Sequence, residues 1–318
     1  MGKFQEKDRS NIDDIIALTP LQEGMLFHYF KDPGRTLYFE QLSVSLTGEM
    51  EGDFFEKAWD FVVKNNEMLR AAFRWEKLAS PVQIILKEHK CPLTFYDLTV
   101  HLNEAQKKSA LAGIKSKDRL EGFDLTQPPF RVMLCKTAAK EYEMILSHHH
   151  ILYDGWSNGI ILKEFFNSYD ALYKGDRFQE PPLKQCYKEF VKWVRGRDKS
   201  KQKEFWESYL MGFEGPTEFS IKERKEEKES TGDDDFENHG VIFDPGSQAN
   251  LTAFAKSKHV TIAAVFYSAW GILLQRYNNS EDVVFGTTVS GRPTQLSGIG
   301  DIVGLFIDTI PLRVTAHP

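Results

Sequence analysis

Leu42, Val44 and Leu46 alternate with Ser43, Ser45 and Thr47, the period-two pattern of a strand with one covered face. Apolar residues then move to helical spacing at Phe54, Ala58, Phe61 and Val62, with Asp53 placed to cap that helix. Earlier, Thr19 followed by Pro20 predicts a helix start, since proline suits the first helical position; Leu21, Met25 and His28 are expected to share a face of it. Val82–Leu86, Phe130–Leu134 and Glu143–Ser147 predict strands, and Asn103–Leu120 a lysine-rich surface helix. Ile161, Phe165, Phe166, Tyr169, Leu172 and Tyr173 form one apolar stripe, closed by Lys174 and Gly175. Beyond an apolar run at Val241–Phe243, a helix is expected around Leu251, Phe254 and Ala255. Ile262–Tyr277 is apolar almost all round and predicts a buried helix, and Asp282–Thr288 predicts a strand. Strands alternating with helices imply a layered α/β fold, and no fixed-period repeat points to a solenoid.

At 318 residues the chain has room for one large domain or two lobes. Residues 1–10 are polar and expected to be loose, residues 11–180 form an N-terminal lobe, and Pro181-Pro182 marks the connection to a second lobe over residues 181–318. The charge-dense stretch at about residues 222–237 reads as a solvated loop. A net charge of −6 argues against a nucleic-acid partner. Cys91, Cys135 and Cys186 are far apart and share no metal-ligand spacing, which suits reduced thiols in a cytoplasm. The first residues carry no apolar core of a secretory signal, and no apolar run approaches the roughly 20 residues a membrane span requires. The expected setting is cytoplasmic.

The candidate chemistry sits between the strand ending near Ser147 and the helix starting near Trp156. His148-His149-His150 and Asp154-Gly155 crowd a tight turn there, and imidazoles move protons near neutral pH. Ser157 reads as a helix N-cap rather than a nucleophile. Adjacent strand residues point to opposite faces, so the three histidines do not converge easily on an ion, and no metal site is expected.

His149-His150-Ile151-Leu152-Tyr153-Asp154-Gly155 matches the HHxxxDG signature of condensation domains from non-ribosomal peptide synthetases. Further segments resemble that family's motifs in its order. They are Leu18–His28, Asn66–Phe73 (HExLRTxF), Tyr187–Trp193 (YxDFxxW, with Glu189 for Asp), Gly286–Pro293 and Val303–Arg313 (IGxFVNTxPxR). The resemblance implies a two-lobed α/β (α+β) sandwich like chloramphenicol acetyltransferase. It makes His150 the catalytic residue and His149 structural, pairs the Asp154 carboxylate with Arg70, and gives Gly155 a backbone geometry that a Cβ would obstruct. Trp156, Ser290 and Asp308 become candidates to line the cleft, Asp308 standing where the family usually has Asn. The chain ends five residues after its last motif, where the family continues with two more, so the second lobe is expected to be truncated. No cofactor is expected to bind directly; substrates would ride on the 4'-phosphopantetheine of donor and acceptor peptidyl carrier protein domains, beside a neighbouring adenylation domain. The opening motif also resembles a subtype that accepts a D-configured donor residue. The sequence leaves open two alternatives: acyl-CoA-dependent acetyl transfer on the same fold, and a non-catalytic carrier-binding module.

Overall fold

The computed structural model describes residues 10–31, 36–100, 103–175, 184–218 and 240–315. These divide into two compact units interleaved in sequence, Met1–Arg197 with Ser290–Ile307, and Asp198–Val289 with Asp308–Pro318. The expected junction at Pro181-Pro182 and the charged loop at 222–237 lie outside the described residues. The division differs from a simple cut near 181: the helix over Tyr187–Arg195 and the segment 290–307 both belong with the histidine turn. The reason is burial, because Tyr187, Phe190, Val191, Val303, Leu305 and Phe306 are all in the first unit's core.

In the first unit, β1 (Ile12–Ala17), β4 (Val82–Leu86) and β3 (Ala71–Arg74) form a three-stranded antiparallel sheet in the order β1-β4-β3. A four-stranded sheet runs β2-β7-β6-β5, from β2 (Phe39–Thr47), β7 (Glu141–His149), β6 (Phe130–Ala138) and β5 (Leu93–Asp97). Its β5–β6 pair is parallel and the rest antiparallel. β7 is an inner strand covered on both sides, so its residues alternate between two cores. Met144 and Leu146 join the main cluster with Trp59, Phe130 and Phe165, while Ile145 joins Leu98, Met133 and Cys135 on the other face. The main cluster is closed by α2 (Gly52–Asn65) and α4 (Gly155–Lys174), where Trp59 stacks on Phe165 with ring centroids 4.7 Å apart. The opposite face is covered by α3 (Glu104–Glu121), started by a reciprocal Asn103–Gln106 capping box.

Several elements depart from expectation. α1 (Pro20–Lys31) starts at Pro20, but it buries Gln22, Met25 and Leu26 and leaves His28 exposed. α2 begins one residue before Asp53 and buries Phe55, Trp59 and Val63 rather than Phe54 and Phe61. In α4, Phe166 and Tyr173 lie outside the buried stripe, whereas Gly175 adopts the left-handed conformation that ends the helix.

Among the described residues, the remaining α-helix of this unit is α5 (Tyr187–Arg195). The second unit contains α6 (Lys199–Leu210), α7 (Pro245–Ser257), α8 (Ile262–Asn278) and an antiparallel pair of β8 (Asp282–Val289) with β9 (Asp308–Thr315). Arg313 ties the pair together, donating to both carboxylate oxygens of Asp282 and to the carbonyls of Tyr209 and Met211. α8 is a helix as expected but is not buried. Gly271, Leu274 and Gln275 are covered, while Phe266, Trp270, Leu273 and Tyr277 remain exposed. Val241–Phe243 are likewise exposed and belong to no strand.

Candidate active site

β7 carries its pairing through to His149, which lies opposite Phe39 of β2, while His148 lies opposite Phe130 of β6. The end of the strand is anchored from the α3 side. Ser147 donates to Asp118 at 2.5 Å, and the same buried carboxylate accepts from Gln41 at 2.6 Å and from Arg131 at 2.5 Å. Arg131 also bonds the Gly122 carbonyl and lies over the Phe123 ring, so the cation is held on several sides. One residue further on, His148 faces the opposite core and stacks on Tyr153, centroids 3.8 Å apart. Burial holds His148 well below its ordinary pKa and keeps it uncharged.

The chain then turns. His149 N–H donates to Pro129 and His150 N–H to Tyr38, which ends the strand on both sides. His149 Nδ1 accepts from the Ile151 N–H at 3.1 Å, so this buried ring carries no proton there; burial, reinforced by His150, lowers its pKa to about 3. His150 is half-buried, and its Nδ1 lies 2.9 Å from the Tyr153 carbonyl oxygen. A carbonyl only accepts, so Nδ1 carries the proton. In the neutral ring this leaves the lone pair on Nε2.

Asp154 is 1% exposed and closes the turn at the start of α4. It does not pair with Arg70. Its Oδ2 accepts from the backbone N–H groups of Phe306 (3.0 Å) and Ile307 (3.2 Å). Its Oδ1 accepts from Arg292 (3.4 Å) and from Ser157 Oγ (3.3 Å). None of these four donors is His150. Arg70 instead donates to the carbonyls of Val63, Leu86 and Lys87, with Asp13 a distant 4.0 Å away. The physical reason is reach. Arg70 leaves its short 3-10 turn toward the end of β4, whereas the segment 290–307 lies directly on the start of α4. Ser157 is not an N-cap but a buried link inside the first turn, sharing its hydroxyl among Asp154, Arg292 and both backbone groups of Gly304.

Gly155 also differs from expectation. A Cβ there would meet nothing within 4 Å, and its φ is not in the left-handed region. The glycines that the backbone demands lie opposite. At Gly291 (φ +59°) a Cβ would stand 1.7 Å from the Phe306 carbonyl oxygen, and at Gly304 it would stand 2.5 Å from the Tyr187 ring. Trp156 is exposed, donates to the Gly300 carbonyl at 3.2 Å and has the Arg292 guanidinium 5.7 Å from its ring centroid. Ser290 is exposed at the head of the segment, and Asp308 is exposed in the second unit, where it accepts from the N–H of Thr309. Within the first unit the structure thus gathers His149, His150, Asp154, Gly155 and Trp156, adds Arg292 and Ser157, and leaves Arg70 elsewhere. Among the described residues, no group of three or more His, Cys, Asp or Glu is placed to hold a metal ion. No helix among them is long and apolar enough to cross a membrane.

The family model for the condensation domain matches residues 12–318. The chain belongs to the condensation-domain family of non-ribosomal peptide synthetases. It is 36% identical over 310 residues to surfactin synthase subunit 3 of Bacillus subtilis (strain 168), covering 96% of this chain and 24% of that protein. It is 38% identical over 308 residues to bacitracin synthase 1 of Bacillus licheniformis, covering 96% and 6%. The chain therefore spans a quarter or less of the length of these two relatives. Its fold matches the crystal structure of the first condensation domain of the CDA synthetase, with a TM-score of 0.76 at 17% identity over 96% of this chain and 72% of that one. A four-domain non-ribosomal peptide synthetase bound to AMP and glycine matches with a TM-score of 0.71 at 18% identity, over 96% of this chain and 22% of that one.

Two residues of this condensation domain's turn were not singled out from sequence. Arg292 sits inside the Gly286–Pro293 stretch already noted, and its charge in an otherwise uncharged run was the available signal. Gln22 sits in the opening motif, where a helical face read only for apolar residues passes over a buried amide.

Proposed function

We propose that this condensation domain joins a donor aminoacyl or peptidyl thioester to the α-amine of an acceptor aminoacyl group, each carried on the 4'-phosphopantetheine of a carrier domain. The amine nitrogen attacks the thioester carbonyl carbon, the C–N bond forms and the C–S bond breaks. The proton lost from nitrogen ends on the departing thiolate. A thioester is already activated, so no covalent enzyme intermediate is needed. At pH 7 about a tenth or more of a free α-amine of pKa near 7.7–8.0 is neutral and able to attack.

One observation carries the assignment of roles. The Nδ1 proton of His150 is held by the Tyr153 carbonyl, so Nε2 is the ring atom left to receive the amine's proton or to hold the charge that develops on nitrogen. Asp154, with Arg292 and the Phe306 and Ile307 amides, holds the shape of the turn rather than relaying a proton. His149 is the structural neighbour that binds the Ile151 N–H. Open space at Gly155 and the exposed Trp156 ring leave the entrance to the helix free for substrate.

The test places the domain, with its native flanking chain, between a donor and an acceptor carrier, both loaded. Intact-mass measurement is expected to show the donor acyl group transferred to the acceptor, more rapidly from a D-configured than an L-configured donor residue. Transfer from acetyl-coenzyme A to a small amine, with none between carriers, would replace this reading by the acetyltransferase one.

A further inference from the structure

Gln22 is wholly buried on α1 and makes contacts that helix formation alone does not need. Its Oε1 accepts from the Thr19 N–H at 3.0 Å while Thr19 Oγ1 accepts from the Gln22 N–H at 3.3 Å, a capping box at the start of α1. The other end of the amide reaches out of the helix. Nε2 donates to the Ile151 carbonyl at 3.0 Å, across 129 residues of sequence. One end meets an N–H and the other a carbonyl, so the amide has a single workable orientation. Gln83, also wholly buried, lies face to face with it on β4, the two amides exchanging contacts at 3.2 and 3.3 Å. Gln83 donates in turn to the Ala17 carbonyl at 3.0 Å. The paired amides are satisfied inside an apolar core, an arrangement that loses most when one member is removed.

Ile151 is the residue after His150. Its N–H is taken by His149 Nδ1, and its carbonyl by Gln22. Before it, the turn is fixed by β-sheet partners through Pro129 and Tyr38; after it, Asp154 is fixed by Gly304, Phe306 and Ile307. The stretch between is where the His150 ring must meet the Tyr153 carbonyl, and there, among the described residues, the side-chain donor that reaches the backbone from an element distant in sequence is Gln22.

We propose that Gln22 is a positioning residue for His150: by holding the Ile151 carbonyl it holds the loop in which Nδ1 donates to Tyr153 and Nε2 stays free. The consequence for rate rests on the function proposed above; the consequence for the ring does not. Gln22→Met keeps the length of the side chain and removes the donor. Gln83→Met removes the partner amide but leaves the Ile151 contact in place, so it controls for loss of core polar pairing.

Ring-15N spectra of the histidines in the full 318-residue chain are the direct readout. For His150 the wild type is expected to show a protonated Nδ1 and an unprotonated Nε2. Gln22→Met is expected to shift that signal toward a mixture of tautomers, and Gln83→Met to leave it unchanged. In the synthetase carrying the domain, Gln22→Met is expected to lower kcat roughly ten- to hundredfold, with KM for the loaded carriers unchanged. If Gln22→Met does not fold, the double variant Gln22→Met/Gln83→Met leaves neither amide facing an unmatched one and is expected to show the same ring shift. Unaltered His150 ring signals in the folded Gln22 variant, or equal rate losses in the two single variants, overturn the proposal. A His150→Ala enzyme working at the wild-type rate removes the functional reading instead, and the ring spectra still decide the positioning role.

Discussion

A buried carboxylate must find donors or give up its charge, and Asp154 finds four, one of them 138 residues away in sequence. That distance explains why the pairing was not legible: the motif shows that a carboxylate is present, while its partner depends on which segment folds back over α4. Breaking a buried pair from one side strands the other charge, so Asp154→Ala or Arg292→Ala is expected to cost about 3–5 kcal/mol in denaturant unfolding. In a double-mutant cycle Asp154 and Arg292 are expected to couple, whereas Asp154 and Arg70 are expected to add within about 0.5 kcal/mol. Coupling to Arg70 instead would return the pairing that the motifs imply. The histidines make a second residue-scale prediction. His149 titrates in the folded chain near 3, against an ordinary 6.5 that the unfolded chain keeps. The unfolded chain therefore takes the proton first as pH falls. The contribution to stability is whole above about 6.5 and is lost as pH drops toward 3; His148 acts in the same direction, while Glu67, raised by burial, acts oppositely. Between pH 6.5 and 5, His149→Gln, which keeps an acceptor for Ile151, is expected to flatten the stability profile by up to about 1.4 kcal/mol per pH unit. Identical slopes in chemical denaturation would show that His149 is not held neutral.

Elements were the more legible level. β4 runs over the five residues that its pattern marked, and β7 extends the marked run at both ends, because a strand-length apolar run is a local property of the chain. Helix existence was equally clear for α1, α4 and α8. Which face each helix buries was not, since that depends on neighbours that propensity does not see: α1 turned Gln22 inward and His28 outward, and α8 left much of its apolar surface uncovered. Glycines separate in the same way. Gly155 is prominent in sequence yet stands in open space, while Gly291 and Gly304 are confined by Phe306 and Tyr187. Gly291→Ala is accordingly expected to be severely destabilising, combining left-handed backbone with a contact that forces the 290–307 segment away from α4. Gly155→Ala is expected to leave the melting temperature unchanged and to slow condensation, through the space it takes from substrate. A lowered melting temperature with an unchanged rate for Gly155→Ala would reverse that assignment.

At the scale of the whole molecule, the ordered motifs identified the family, and the fold follows from it. The histidine turn is assembled from parts far apart in sequence: α1 through Gln22, α3 through Asp118, and the 290–307 segment through Arg292 and the Phe306 and Ile307 amides. Each fixes backbone or charge around one ring whose Nδ1 meets the Tyr153 carbonyl, which leaves the lone pair of the neutral ring on Nε2. If this Nε2 serves the attacking amine, its loss is felt in single-turnover peptide-bond formation. Wild-type and His150→Ala domains are compared in the same intact synthetase with both carriers loaded, after circular dichroism and melting curves establish that both are folded. The expected loss in the rate of amide formation is roughly 10²–10⁴-fold with the fold retained; a rate within about twofold of wild type would show that Nε2 neither takes the proton nor holds the developing charge.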